Sequence, residues 1–190
     1  MNEDRDINEI IDKKTDKKTG KSIVIEWVRS ILIAILIAFA VKSLIFEPTK
    51  IVGSSMETTL HNGDRVIVNK IVLKLRELKR GDIVVIKFDS NNDYIKRLVG
   101  LPGEYIQLID GKIYINGKVY NEDYINSDYT HSVNGSEWKL GEDEYFVMGD
   151  NRLPGKSRDS RDFGAVNLSR IKGVANFRFY PFGEAFGWIE

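Results

Sequence analysis

One long apolar segment near the N-terminus limits what this chain can fold into more than any other feature. Residues 23–46 are predominantly apolar, and residues 30–41 carry no charge. A helix of this length spans about 36 Å, which is enough to cross a hydrocarbon core of about 30 Å. Arg29 and Lys42 flank the uncharged centre, and their long side chains can reach the two membrane interfaces. The segment therefore predicts a transmembrane helix over residues 23–46.

Two other interpretations of this segment are open. A helix buried in a protein core is also apolar, although it usually keeps a polar face, which this segment lacks. A cleavable signal peptide ends in a small-x-small motif, which Ala38-Phe39-Ala40 provides. However, the apolar run continues beyond that motif to Phe46, where a cleavable peptide would be polar. We therefore expect a permanent membrane anchor.

The charges on either side of the segment predict its orientation. Residues 1–22 contain six acidic and six basic residues, which is typical of a solvated, disordered tail. Five of these basic residues are lysines that shortly precede the span, whereas only Lys42 and Lys50 closely follow it. An excess of positive charge favours the cytoplasmic side. We expect a single-pass protein of the cell membrane with a cytoplasmic N-terminus and residues 47–190 on the extracytoplasmic face.

Residues 47–190 have the sequence pattern of a β domain. Four runs rich in β-branched or aromatic residues predict strands at 65–68, 82–88, 144–148 and 173–180. Asp110-Gly111 and Asn116-Gly117 are hairpin turn signals on either side of another short strand. Residues 71–78 predict a short helix, and the polar residues 121–142 predict a long loop. The fold class is therefore mostly β, an antiparallel barrel or coiled sheet that follows one transmembrane helix.

Composition excludes several classes of function. The chain has 28 basic and 28 acidic residues, and this zero net charge argues against a general nucleic-acid binder. The absence of cysteine excludes a cysteine protease, a disulfide scaffold and a cysteine-ligated zinc site. Only His61 and His131 are present, so a multi-histidine metal site is excluded, and a histidine-based serine hydrolase would need one of these two. We expect no metal and no organic or nucleotide cofactor, because no ligand cluster or phosphate-binding loop is present.

Four short motifs concentrate polar side chains in the β domain. They are Gly-Ser-Ser-Met at 53–56, Gly-Asp-Arg-Val at 63–66, Tyr-Ile-Lys-Arg-Leu-Val-Gly-Leu-Pro-Gly-Glu at 94–104, and Gly-Asp-Asn-Arg at 149–152 followed by Ser-Arg-Asp-Ser-Arg at 157–161. Each has an ordinary interpretation: a surface turn, charges that protect an edge strand, or a solvated loop with surface ion pairs. Lys96 and Arg97 are neighbours in a strand pattern, so they face opposite sides and one of them points inward.

Taken together and in this order, the motifs resemble those of the bacterial type I signal peptidases, which are membrane-anchored serine proteases that remove signal peptides from exported preproteins. The resemblance covers roughly residues 25–183, and the single span and small domain are similar to the Gram-positive kind. It implies that Ser55 is the nucleophile, that Lys96 is the general base, and that Ser157 orients Lys96 by a hydrogen bond. It also implies a supporting ion-pair cluster made by Asp150, Asp159 and Arg161. Five residues are implied to line pockets for small substrate side chains: Ile51, Val52, Leu60, Tyr94 and Ile95.

The proposed roles fit the chemistry of these residue types. A lysine with its ordinary pKa of about 10.4 is protonated at neutral pH and cannot act as a base. Burial away from carboxylates lowers that pKa, and a value of about 7–8 would suit a general base. The oxyanion needs preorganised donors, for which the backbone N–H of Ser55 is one candidate. Some family members place a serine where this chain has Gly53, so a donor there must come from the backbone. The resemblance further implies substrates of the Ala-x-Ala type and a location close to membrane lipid and the secretion translocon.

The chain departs from the family pattern at two places. Thr58 stands where proline is usual, which adds a backbone donor and loosens the turn after Ser55. Residues 153–156 lengthen the gap between Arg152 and Ser157, and their Pro-Gly pair can form a turn. A catalytically weak membrane-anchored domain that binds signal peptides or partners without cleaving them is therefore an alternative. A self-cleaving serine–lysine repressor is a weaker one, because it would need a DNA-binding domain and no membrane span.

Overall fold

The computed structural model describes residues 20–89, 92–183 and 185–189. The chain divides into two compact units, residues 1–43 and residues 44–190. Most of the predicted solvated tail, residues 1–19, lies outside the described residues. The last three residues of that predicted tail are helical.

One long helix, α1, spans Gly20–Ile45, and all but its last two residues belong to the first unit. Its stretch Ile23–Lys42 is long and apolar enough, by length and composition, to cross a membrane, and its side chains are exposed to the surroundings. This exposure contradicts the alternative of a core helix. The helix ends at Ile45 because Pro48 disfavours helical geometry at Glu47 and cannot donate a helical hydrogen bond. The next residues, Phe46–Lys50, are extended.

The second unit is built on two antiparallel sheets, which confirms the prediction of a mostly antiparallel β domain. The larger sheet has the strand order β1-β2-β11-β3-β4-β9-β10, with β12 paired to β11. Its strands are β1 Phe46–Lys50, β2 Arg65–Asn69, β3 Ile83–Lys87, β4 Asp93–Gly100, β9 Glu144–Met148, β10 Val166–Asn167, β11 Ile171–Tyr180 and β12 Gly187–Trp188. Pro48 is tolerated because β1 is the outermost strand of the sheet among the residues that the structure describes, and an edge strand can accommodate a residue without an N–H.

The smaller sheet has the order β7-β6-β5-β8. Its strands are β5 Tyr105–Ile109, β6 Lys112–Ile115, β7 Lys118–Val119 and β8 Glu137–Lys139. Both predicted hairpin turns are present, since Asp110 and Asn116 and the glycines that follow them all have positive φ angles. The polar stretch 121–142 is not one continuous loop, because it contributes β8.

Short helices complete the second unit. Helix α2 spans Val72–Leu75, inside the predicted range 71–78 but only one turn long. Helix α3 spans Ser160–Phe163, and a 3₁₀ turn follows at Leu168–Arg170. The Asp159 side chain caps α3 by accepting from the Arg161 backbone N–H.

Three hydrophobic clusters hold the second unit together, and one of them supports the functional site. This cluster packs residues of β2, β3 and β11 against the segment that follows β1: Ile51, Met56, Leu60, Val66, Val68, Ile83, Val85 and Ala175. Burying one such side chain stabilises the fold by about 1.5–3 kcal/mol. The segment after β1 is therefore fixed to the sheet rather than free in solvent.

Candidate active site

The first part of the site is the turn after β1, here called the nucleophile turn and comprising residues 53–60. Ile51 before it, and Met56 and Leu60 within it, are all buried. Gly53 has a φ of +96°, a conformation that residues with a Cβ rarely adopt. Ser55 lies half-buried between these anchors, so packing on both sides determines where its hydroxyl points.

The second part is Lys96, which lies on β4 opposite Val84 of β3. Its Nζ lies 2.7 Å from Ser55 Oγ and donates to the Ile95 carbonyl at 2.9 Å. Only 4% of the residue is exposed. Burial lowers the pKa of Lys96 from 10.5 to about 8. The serine hydroxyl and a lysine with a lowered pKa are thus within hydrogen-bond distance. This is the arrangement that is needed to activate a serine nucleophile.

Arg97, the neighbour of Lys96, is buried as well. Its guanidinium forms an ion pair with Asp150, with Nη2 to Oδ2 at 2.8 Å, and both side chains are almost fully buried. Thr59 completes this group by donating to the Asp150 carboxylate at 2.5 Å. The interpretation of these two charges as exposed charges that protect an edge strand is wrong, because Lys96 and Arg97 are only 4% and 2% exposed. Lys96 is directed to half-buried Ser55, and Arg97 is directed to buried Asp150.

A second buried ion pair joins Asp159 to Arg161, at 2.7 Å between Oδ2 and Nη2. Burial raises the pKa of Asp159, but the bonds from Arg161, Ser157 and the Gly149 backbone N–H together hold it below its ordinary value. The Ser157 hydroxyl donates to Asp159 at 2.7 Å. Its hydrogen bond therefore goes to this carboxylate, whereas the resemblance implied a bond to Lys96.

These ion pairs explain how the pKa of Lys96 stays lowered although two carboxylates lie nearby. Asp159 and Asp150 raise the pKa of Lys96, while burial lowers it more strongly and Arg161 lowers it further. Each carboxylate is bound by its own arginine, which offsets its charge. The ordinary interpretation of this region as a solvated loop with surface ion pairs is wrong, since Asp150 and Asp159 have no exposed surface.

Two further residues support the site, and sequence reasoning gave neither of them a role. Arg152 is fully buried and pairs with Glu122, with Nη2 to Oε1 at 2.5 Å. Asn151 donates from its side chain to the Ser54 carbonyl at 2.9 Å and from its backbone to the Ser55 carbonyl at 3.0 Å. The one available signal was their position inside the Gly-Asp-Asn-Arg motif at 149–152.

An open cleft of about 360 Å³ contains the Ser55 and Lys96 side chains. Four of the five residues predicted to contact substrate line it: Ile51, Val52, Tyr94 and Ile95. The fifth, Leu60, does not, because it is fully buried in the cluster beneath the nucleophile turn. Its assignment to a substrate pocket came from the resemblance and stays a prediction.

The backbone donors near Ser55 differ in their availability. The Gly53 N–H donates to the Asn62 side chain at 3.0 Å, so it is already engaged. Among the residues that the structure describes, no acceptor is recorded for the Ser55 N–H. Of the two predicted oxyanion donors, Ser55 is therefore the one whose N–H remains open to a ligand.

The two departures from the family pattern have structural counterparts. The Thr58 hydroxyl donates to the Tyr124 carbonyl at 2.9 Å, which ties the nucleophile turn to a distant segment. The residues inserted at 153–156 form a turn closed by the Lys156 N–H donating to the Leu153 carbonyl at 3.2 Å. Lys156 itself lines the cleft.

The histidines lie away from this arrangement. His61 and His131 are not among the residues that line the cleft. The ring of His131 packs on Tyr129, and its backbone carbonyl accepts from Arg161. Within the described ranges, no group of three or more histidine, aspartate or glutamate side chains is arranged to hold a metal ion. The chemistry available here is that of the serine and the lysine.

Comparison with known proteins gives matches along most of the chain. The family model described as "Signal peptidase, peptidase S26" matches residues 24–180. Signal peptidase I of Bacillus licheniformis is 41% identical over 183 residues, covering 91% of this chain and 96% of that protein. Signal peptidase I T of Bacillus subtilis (strain 168) is 42% identical over 194 aligned positions, covering 97% of each. A crystal structure of a signal peptidase I from Enterococcus faecalis V583 has 35% identity and a TM-score of 0.45, covering 52% of this chain and 97% of that one.

Proposed function

Because the chain belongs to the peptidase S26 family of signal peptidases, we propose that Ser55 and Lys96 form a catalytic dyad that cleaves signal peptides from exported preproteins. The family membership makes the chain a serine endopeptidase with signal peptidase I function. The 2.7 Å distance between Lys96 Nζ and Ser55 Oγ, in a buried setting, is the observation that carries the proposed mechanism.

In the first half of the reaction, neutral Lys96 removes the proton of the Ser55 hydroxyl as Oγ attacks the substrate carbonyl carbon. The negative charge that develops on the carbonyl oxygen is stabilised by the Ser55 backbone N–H. The C–N bond then breaks, and Lys96 gives its proton to the leaving amine. The product is an ester between Ser55 and the signal peptide, and the mature protein departs with a free N-terminus.

In the second half, water takes the place of the amine. Lys96 accepts a proton from the water molecule as its oxygen attacks the ester carbonyl. The ester C–O bond breaks, the signal peptide leaves with a new carboxyl group, and the proton returns to Ser55 Oγ. A lysine whose pKa lies at about 8 can both accept and donate at physiological pH, so one residue serves both halves.

The cleft supports a substrate that binds in an extended conformation. The cleft that contains Ser55 and Lys96 is lined by two backbone segments, residues 51–53 and residues 94–96. A chain lying between them can pair through its backbone, as in other cases of strand addition. We propose that the substrate side chains before the cleaved bond are small, of the Ala-x-Ala type.

The apolar helix α1 supports attachment to the cell membrane. We propose a cytoplasmic N-terminus, because lysines are concentrated before the helix. The division into a tail over 1–22, a span over 23–46 and an extracytoplasmic domain over 47–190 belongs to the same proposal. It places the cleft on the side where preproteins emerge. Membrane lipid as a partner of the protein, and proximity to the translocon, belong to this proposal as well.

The test is cleavage of a preprotein with an Ala-x-Ala site by the full chain in detergent or lipid. We expect cleavage by the wild type and none by Ser55→Ala or Lys96→Ala. The wild-type kcat/KM should rise about tenfold per pH unit below pH 8 and level off above it, because only neutral Lys96 is active. Activity that survives in Lys96→Ala, or a break in the profile above pH 10, would contradict the dyad. Binding without cleavage would favour the alternative of a signal-peptide-binding domain.

A further inference from the structure

We propose that Asn126 is a positioning residue that holds the nucleophile turn in place through Asn151. The inference rests on the proposed role of Ser55 and adds a residue to the machinery that serves it. Asn126 lies in the polar stretch 121–142, for which the sequence predicted a long loop. It is connected to the backbone beside Ser55 by hydrogen bonds that pass through Asn151, and the segment that carries it is itself attached to the site.

Asn151 makes the last contact in this path, because it donates hydrogen bonds to the nucleophile turn. Asn151 is 3% exposed, and it binds two consecutive carbonyls of the turn. Its Nδ2 donates to the Ser54 carbonyl at 2.9 Å, and its backbone N–H donates to the Ser55 carbonyl at 3.0 Å. Rotation of the peptide between these two carbonyls would move the Ser55 side chain. Asn151 therefore controls the direction of the nucleophile.

The middle contact is a hydrogen bond from Asn126 Nδ2 to Asn151 Oδ1, at 2.8 Å. Backbone groups determine the orientation of both side-chain amides. The Arg152 N–H, which can only donate, faces Asn126 Oδ1 at 2.9 Å, and this leaves Nδ2 for Asn151. The Leu153 N–H donates to Asn151 Oδ1 at 3.3 Å, and this leaves its Nδ2 for the Ser54 carbonyl. Asn126 therefore donates to Asn151, and Asn151 in turn donates to the Ser54 carbonyl.

The first contact is the attachment of the segment that carries Asn126. Glu122 binds buried Arg152 through both of its carboxylate oxygens, and the Tyr124 hydroxyl donates to Glu122 at 2.6 Å. The Tyr124 ring lies 4.1 Å from the Arg97 guanidinium carbon. The Tyr124 carbonyl accepts from Thr58 at 2.9 Å. Alternate residues at 122, 124 and 126 therefore all contact groups that surround Ser55 and Lys96.

Asn126→Asp tests the proposal with almost no change in shape. The aspartate still accepts from the Arg152 N–H, but it cannot donate to Asn151 Oδ1. Its carboxylate then faces Asn151 Oδ1, so Asn151 must either move away or turn its amide against the Leu153 N–H, and both changes weaken its bond to the Ser54 carbonyl. We expect kcat to fall about tenfold, the size expected for one lost hydrogen bond, while KM changes by less than about twofold. The control is Asn121→Asp, the same change at an exposed position of the same segment.

A double-mutant cycle tests the route through Asn151. In an Asn151→Ala background, Asn126→Asp should lower kcat by less than about twofold, because the group it acts through is gone. Asn126→Ala, which adds no charge, should reproduce the loss in the wild-type background, and the melting temperature should match that of Asn121→Asp. An equal loss in both backgrounds, or wild-type kcat in both Asn126 variants, would overturn the proposal.

The same assay separates this inference from the proposed function. A wild type that cleaves and a Ser55→Ala variant that does not would establish the nucleophile independently of Asn126. Under those conditions, unchanged kcat in the Asn126 variants refutes only the positioning role. A wild type that fails to cleave refutes the proposed function and this inference with it.

Discussion

Replacing Lys96 with methionine should stabilise the folded protein while abolishing cleavage. Burial holds the pKa of Lys96 at about 8, compared with 10.5 for an unburied lysine. Between these two values the unfolded chain binds more protons than the folded chain, so stability rises with pH across that window. At pH 7 the folded state still holds a buried ammonium group and bears the full penalty. Lys96→Met removes this charge and keeps a side chain of similar length.

The size of the effect follows from the lowered pKa. One pKa unit corresponds to about 1.36 kcal/mol, so the penalty is about 3 kcal/mol at pH 7 and about 1.5 kcal/mol at pH 9.5. Loss of the hydrogen bonds that Nζ makes to Ser55 and Ile95 offsets this by about 1 kcal/mol, nearly independently of pH. We therefore expect Lys96→Met to gain about 2 kcal/mol at pH 7 and close to zero at pH 9.5.

The assay is urea unfolding of the full chain in detergent micelles, followed by tryptophan fluorescence at pH 7 and at pH 9.5. Trp138, which is half-buried in β8, reports on the β domain. Lys112→Met is the matched control, because Lys112 is exposed and its replacement should give no pH-dependent difference. Unfolding free energies of the wild type and Lys96→Met that change in parallel between the two pH values would refute the reasoning.

Three further substitutions test the packing and polar contacts around Ser55. Gly149→Ala would place a Cβ 2.3 Å from both the Ser157 hydroxyl and the Ser55 carbonyl, so kcat should fall at least about tenfold; wild-type cleavage would contradict this. Thr58→Val removes the donor to the Tyr124 carbonyl and should lower kcat, whereas Thr58→Ser should retain it; equal kcat values in the two variants would argue against this tie. Arg97→Met leaves buried Asp150 without its charge partner and should destabilise the protein by about 3–5 kcal/mol in urea unfolding, and adding Asp150→Asn should recover part of this. No recovery in the double variant would mean that the ion pair is not the cause.

Most of the sheet was predictable because its residues follow simple local rules. The β-branched runs around β2, β3, β9 and β11 and the two Asp-Gly and Asn-Gly turns specify their structure through short-range preferences. Strand β1 was not predicted, since Pro48 normally argues against a strand and is acceptable here only because β1 is an edge. Its position depends on pairing with β2, which no local pattern reveals.

The reactive groups of the site could be predicted from the sequence, but the buried ion pairs that surround them could not. Ser55 and Lys96 lie in motifs specific enough to be identified, and the structure brings them within 2.7 Å of each other. The partners of the buried arginines come from far along the chain: Arg97 pairs with Asp150, and Arg152 pairs with Glu122. Such pairing depends on the packed fold. The local sequence around a polar residue such as Glu122 does not show whether that residue lies in a solvated loop or supports an active site.

The first half of β4 has a consequence for how many different substrates one protein can serve. Residues 93–97 pair with β3, but pairing with β9 begins only at Arg97, so in the described part of the sheet the other edge of residues 93–96 faces the cleft without a strand partner. An incoming peptide bound there completes the sheet through peptide groups that every sequence shares. Under the proposed function, recognition is then a filter on backbone shape and side-chain volume. Under that function, preproteins of widely different sequence can bind to the same sheet edge.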